Sequence, residues 1–251
     1  MHEMVRYFFG EGTQPEFSLF TLAHFAPILV AAALIFLIFR FRKPLADWKY
    51  EYTLRYTLAF ILIISEMGYY WRLVGMPALG PNPFDNLPIA ACGWAAIFLS
   101  YAVIGKSQTL FDFCYFWLFS GSLFALITPT LEFAGPTRFR YYQFWTEHLS
   151  IYVALFYLMF VHKMRPTVRS AVKSYIALAV MAVVAYCTNV YLGGRANYLF
   201  LAKLPSLLDI LPDITALRIG VMAAVITVMY FLAYLPWYIK DRKASKQPVA
   251  Q

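Results

Sequence analysis

The chain has 251 residues, of which 61% are hydrophobic, 19% aromatic and only 14% charged, where a typical soluble domain carries about a quarter charged residues. That leaves too little polar surface to wrap a water-soluble globule, and it excludes a disordered chain, a disulfide scaffold and a nucleic-acid-binding domain. The formal net charge of +8 is then the juxtamembrane excess of a multi-spanning membrane protein, with membrane lipids as its partners and no nucleic acid. All three cysteines fall inside apolar stretches, so no extracellular disulfide framework is expected.

A membrane helix needs about 20 mostly apolar residues. Seven stretches qualify in chain order: 18–39, 54–74, 86–104, 109–128, 141–161, 171–192 and 214–239. Pro and Gly clusters punctuate them, as at Met76–Pro83, Gly135-Pro136 and Gly193-Gly194. The first stretch is longer than a signal-peptide core and lacks a basic segment before it, so it is expected to be retained. The expected fold is all-α: a polytopic bundle of seven transmembrane helices forming a single integral membrane domain over residues 1–251. Of the 21 Lys and Arg residues, fourteen fall on one side, in the loops after the first, third and fifth spans and in the tail. The remaining seven lie on the other side or near its span ends. This twofold bias puts the N-terminus outside and the C-terminus in the cytoplasm of a multi-pass protein of the cell membrane.

With the direction fixed, the intramembrane polar residues acquire depths. His24, Glu66, Cys92 and His148 fall ~9–12 Å below the outer surface, with Asn189 shallower, so five helices feed one layer of the outer leaflet. Ionisable groups cost roughly 2.5–3.5 kcal/mol each in hydrocarbon and therefore face the bundle interior. Plainer roles exist for each: His24 and Asn189 as hydrogen-bonded helix glue, Cys92 as a small buried hydrophobe. Glu147 and His148 are adjacent and point about 100° apart. The face extended by Phe144, Tyr152 and Leu155 favours His148 as the inward residue, leaving Glu147 to pair with Arg138, Arg140 or Arg218.

Cys92, His148 and Glu66 supply the nucleophile, base and carboxylate of an acyl-transfer site. A zinc site would spend both layer histidines and a carboxylate without a His-Glu-x-x-His motif, and no metal is expected. A retinal protein needs a lysine inside a helix, and the last span has none before Lys240. With no Gly-rich phosphate motif, no cofactor is expected. A non-enzymatic transporter or small-ligand-binding membrane protein is the alternative.

Several motifs recur in a fixed order. They are Thr21-Leu22-Ala23-His24, Glu66 before Trp71-Arg72, Leu87-Pro88-Ile89-Ala90-Ala91-Cys92, Tyr115-Phe116-Trp117 and Ala125-Leu126-Ile127-Thr128-Pro129. Next come Gln143-Phe144 leading to His148, Asn189, Asn197-Tyr198-Leu199-Phe200-Leu201, and Lys203, Pro205 and Ser206-Leu207-Leu208-Asp209. In these the chain resembles the YwaF-like family of bacterial integral membrane proteins, which includes the mammalian transmembrane protein 164. The resemblance implies seven helices and a phospholipid acyltransferase that uses a cysteine and a histidine. His148 matches the family's histidine. Family members typically carry a histidine two residues before the cysteine, where this chain has Ala90. Together these readings set an expectation in which Cys92 attacks an acyl ester, His148 shuttles the proton, and Glu66 orients or polarises. His24, Asn189, Asn197 and Tyr198 are expected to contact substrate.

Overall fold

Away from water every backbone N–H and C=O must find its partner within its own segment, so long apolar runs become helices. The computed structural model describes residues 2–12, 17–129, 131, 134–203 and 214–245. The motif residues Pro205 and Ser206–Asp209, and Lys246 of the basic tail, lie outside that set. Among the described residues all regular structure is helical. In chain order the helices are α1 (His2–Phe9), α2 (Leu22–Arg40), α3 (Arg42–Ala46), α4 (Glu51–Gly75), α5 (Ala91–Gly105), α6 (Gln108–Trp117), α7 (Leu123–Ile127), α8 (Phe139–Phe160), α9 (Val168–Tyr191) and α10 (Thr215–Ala244). A π turn, Leu118–Ser122, joins α6 to α7.

Five segments are long and apolar enough to cross a membrane: α2, α4, α6 through α7, α9 and α10. They correspond to the expected spans 18–39, 54–74, 109–128, 171–192 and 214–239. The other two expected spans differ in instructive ways. The span expected at 86–104 begins as a helix only at Ala91 and is 15 residues long. Pro88 lacks an N–H and its ring disfavours helical backbone at Leu87. The preceding loop is folded on Asn82, whose Oδ1 accepts from the amides of Phe84 and Asp85. The span expected at 141–161 is the 22-residue α8, which is long but carries Arg140, Gln143, Glu147 and His148.

Helix α8 can carry those groups because it is wrapped by other helices. It packs against α2, α4 and α5, and fourteen of its residues are buried. Helix α9 shows the opposite pattern, with Val172, Ile176, Val180 and Val183 exposed on its surface, as a lipid-facing stripe requires. Helix α10 is tied to α6 by Tyr115, whose hydroxyl donates to the Ala233 carbonyl (2.8 Å) and accepts from Trp237 Nε1 (3.0 Å).

The two ends of the bundle are closed differently. At the lower end, where α4 begins, the Glu51 carboxylate is met by Arg55 Nε (2.9 Å), the Tyr157 hydroxyl (2.5 Å) and His162 Nε2 (2.7 Å), with Lys106 Nζ at 3.9 Å. At the upper end, where α4 finishes and α8 starts, Arg138 is buried. It donates to the carbonyls of Tyr7 and Glu11 and lies 3.4 Å from the Tyr7 ring centroid, fixing α1 against α8.

Candidate functional site

The expected layer separates into three groups. The first is centred on Glu66, which leaves α4 toward Gly93 of α5. A Cβ built at position 93 would lie 2.3 Å from Glu66 Oε1, so only glycine admits the carboxyl there. The Glu66 carboxyl also meets the Tyr70 hydroxyl and, across the α4–α8 contact, the carboxyl of Glu147. Gln143 orders the pair: its Nε2 donates to Glu147 Oε2 (2.7 Å) and to the Ser65 carbonyl (2.8 Å). Arg140 donates to Gln143 Oε1. Glu147 therefore faces Glu66 inside the bundle. Its expected departure to an arginine at the interface survives only as electrostatic reach to Arg140.

Next to Gly93, Cys92 is the second residue of α5, and Ala90 at the N-cap offers no side-chain acceptor to the first-turn amides. A helix N-terminus of this kind stabilises negative charge close to its unpaired amides. The half-buried Cys92 sulfur lies 3.4 Å from Ser122 Oγ. Ser122 reaches it from the π turn, a local widening that shifts the register of the polar face. The Tyr152 hydroxyl, on α8, is within electrostatic reach of the same sulfur.

His148 is buried, with its ring stacked on Phe144 at 4.1 Å between centroids and Nδ1 2.9 Å from the Phe144 carbonyl. A carbonyl only accepts, so Nδ1 carries a hydrogen, and in the neutral ring Nε2 presents its lone pair. Nε2 has no hydrogen-bond partner among the described residues. Although α5 and α8 are in contact, no hydrogen bond joins Cys92 to His148 among those residues. The structure thus brings Glu66 and Glu147 together beside Gly93, while Cys92, one residue before that glycine, meets Ser122 and His148 is held by Phe144.

The second and third groups are braces. His24 accepts from the Phe20 amide at Nδ1 (3.0 Å) and donates from Nε2 to the Leu126 carbonyl (2.8 Å), so both ring nitrogens are spent. Asn189 binds both the N–H (2.9 Å) and the C=O (3.1 Å) of Tyr198. The Tyr198 hydroxyl in turn accepts from the Leu87 amide and donates to the Pro83 carbonyl, both at 2.8 Å. Asn197 folds the next turn by accepting from the amides of Ala202 and Lys203. This chain of contacts holds residues 83–87, and hence the approach to Cys92.

The site also contains residues outside the expected set: Glu147, Gln143, Arg140, Tyr70 and Ser122. Arg140, Gln143 and Glu147 were detectable as neighbours at helical i, i+3 and i+7 spacing. Ser122 gave no such signal, because a π turn cannot be read from periodicity.

A family model, the TMEM164 family, matches residues 18–235. The chain belongs to the TMEM164 family. Membership and the five long apolar helices together make it a multi-pass membrane protein whose helices contact lipid. No curated protein and no solved structure matches this TMEM164 family chain.

Proposed function

We propose that this TMEM164 family chain is a phospholipid acyltransferase of the transacylase type, working in the outer leaflet of the cell membrane. In this reading α5 and α8 also cross the membrane, giving seven spans with the N-terminus outside. A 15-residue helix covers ~22 Å, and the folded residues 81–90 complete the crossing at the upper end. The basic residues clustered at the lower end support that direction.

The observation that carries the chemistry is the position of Cys92 on an uncapped helix N-terminus, beside a glycine over which Glu66 is packed. Cys92 Sγ attacks the carbonyl carbon of an acyl ester while its proton passes to His148 Nε2. The first-turn amides of α5 receive the developing oxyanion. As the C–O bond breaks, His148 returns the proton to the departing lysophospholipid oxygen, leaving a thioester. An acceptor hydroxyl then gives its proton to His148 and attacks the thioester. The C–S bond breaks and the sulfur regains its proton. The balance needs no oxidant, nucleotide or metal. The Glu66–Glu147 pair sets the charge around this junction, and His24, Asn189, Asn197 and Tyr198 shape it without reaching substrate.

The separate hydrogen-bond partners of Cys92 and His148 favour a second reading, a non-enzymatic transporter or small-ligand binder. Purified protein incubated with acyl-labelled phospholipid and unlabelled lysophospholipid separates the two. Acyl transfer should fall at least ~100-fold in both Cys92→Ala and His148→Ala. Solute flux or binding in proteoliposomes, with no transfer by the unaltered protein, would establish the second reading instead.

A further inference from the structure

Beyond the carboxyl pair, at the upper ends of α4 and α8, lies a cavity of about 260 Å³ lined by Arg72, Arg140, Tyr69, Asn82, Asp85 and Asn86. We propose that this cavity binds a phosphate-type oxyanion, the headgroup phosphate of a lipid or a free phosphate ester. Among the described lining residues two arginines, Arg72 and Arg140, stand against one carboxylate, Asp85, an excess of positive charge. The guanidinium carbons of Arg140 and Arg72 lie 4.8 and 5.7 Å from the centroid of the Tyr69 ring, and the Tyr69 hydroxyl is held by Asn86 Nδ2 at 2.6 Å. Stacking of this kind pre-organises planar guanidinium forks, which suit the oxygens of phosphate.

Arg140 also has capacity to spare. Its Nη1 donates to Gln143, but its buried Nε has no acceptor among the described residues, and an unmade hydrogen bond from a buried charged group is costly. The opposite wall is rigid: Asn86 Oδ1 accepts from the Asn82 amide (2.9 Å), and Asn82 accepts from the amides of Phe84 and Asp85. The volume takes several waters, hence a phosphate and the first atoms of its ester. Hydrogen bonds run from Arg140 at the cavity through Gln143 to Glu147, which faces Glu66. If acyl transfer operates, an anion held here is the headgroup of the lipid whose ester reaches Cys92. The anion site itself does not depend on that chemistry.

The test is a binding titration of the purified protein in a non-ionic, phosphate-free detergent. The probes are inorganic phosphate, glycerol 3-phosphate, dihexanoyl phosphatidate and, as the uncharged control, dihexanoyl glycerol. Saturable binding of phosphate-bearing probes is expected, with none of the control. Arg140→Gln should weaken it at least ~10-fold, and Arg140→Lys should restore part of the loss. Asp85→Asn, which removes the carboxylate from the lining, should tighten binding ~3-fold, a gain that misfolding cannot produce. Phosphatidate binding more tightly than glycerol 3-phosphate makes the occupant a lipid headgroup; equal affinities make it a free phosphate ester. Absence of saturable binding by all three phosphate probes overturns the proposal. So does equal binding of the control, or an affinity unchanged in both Arg140→Gln and Asp85→Asn. Acyl transfer is not read in these titrations, so the two proposals fail separately.

Discussion

Helix α4 carries two buried glutamates, Glu51 and Glu66, fifteen residues and thus ~22 Å apart, and each meets side chains of α8 or its C-terminal extension. Their surroundings are opposites. Glu51 is closed by Arg55, Lys106, His162 and Tyr157, so its charge is neutralised and its oxygens are occupied. Glu66 faces a second carboxyl, a tyrosine hydroxyl and the open first turn of α5. A buried carboxylate with a full set of cationic partners locks helices together. A carboxyl pair beside an uncapped helix and a thiol is an arrangement for moving protons and charge. The same residue type on the same helix thus builds structure at one end and, in the proposed function, a reactive junction at the other.

Breaking the lower end should cost the most. Glu51→Ala leaves Arg55 and its neighbours uncompensated and should lower stability by roughly 3 kcal/mol, read as thermal unfolding in detergent micelles. Transfer per folded molecule should be unchanged. At the upper end, Glu66→Gln should do the reverse. Transfer should fall ~100-fold, while the melting temperature stays close to that of the unaltered protein because the amide has the shape of the carboxyl and still fits over Gly93. If Glu66→Gln unfolds the protein and leaves its specific activity intact, the contrast between the two ends collapses.

A finer probe is Gly93→Ala, which pushes the Glu66 carboxyl off α5 without removing it. The carboxyl is the far end of a flexible side chain, so a loss of transfer of ~10-fold with little change in melting temperature is expected. The smallest effect concerns pH. His162 lies beyond the end of α8, where burial holds its pKa below the ordinary 6.5, and the positive charges of Lys106 and Arg55 add to this against the pull of Glu51. As pH falls below about 6.5 the unfolded chain takes up this proton before the folded one, so stability declines with falling pH. His162→Gln should flatten that decline, measured by unfolding between about pH 7 and pH 5. An unchanged slope would show that His162 does not govern the pH response of the lower cluster.

Much of the helical frame was legible because apolar length is written directly in the chain. Two elements show where that legibility stops. The helix expected from residue 86 starts at Ala91, because Pro88 and the Asn82 turn act locally while the apolar run continues through them. The stretch 141–161 is expected as a span from its apolar length, yet α8 is not among the five segments apolar enough to cross, because it carries Gln143, Glu147 and His148 on its buried side. Of the layer expected from depth, Glu66 is packed over Gly93, the residue after Cys92. Depth alone could not reveal that Glu147, and not His148, meets Glu66, because that depends on the rotation of α8 about its axis. It also could not separate groups spent on backbone, such as both nitrogens of His24 and the amide of Asn189, from groups left open, such as His148 Nε2. Ser122 reaches Cys92 only through the π turn, which leaves no trace in residue periodicity.

The most direct measurement is mass spectrometry of the protein incubated with an acyl-labelled phospholipid and no acceptor, then quenched in acid. A Cys92 nucleophile predicts a labelled acyl group on that residue that hydroxylamine removes and an added lysophospholipid discharges, with no label in Cys92→Ala. Transfer of the acyl chain at an undiminished rate by Cys92→Ala, with no labelled cysteine in the unaltered protein, would contradict it.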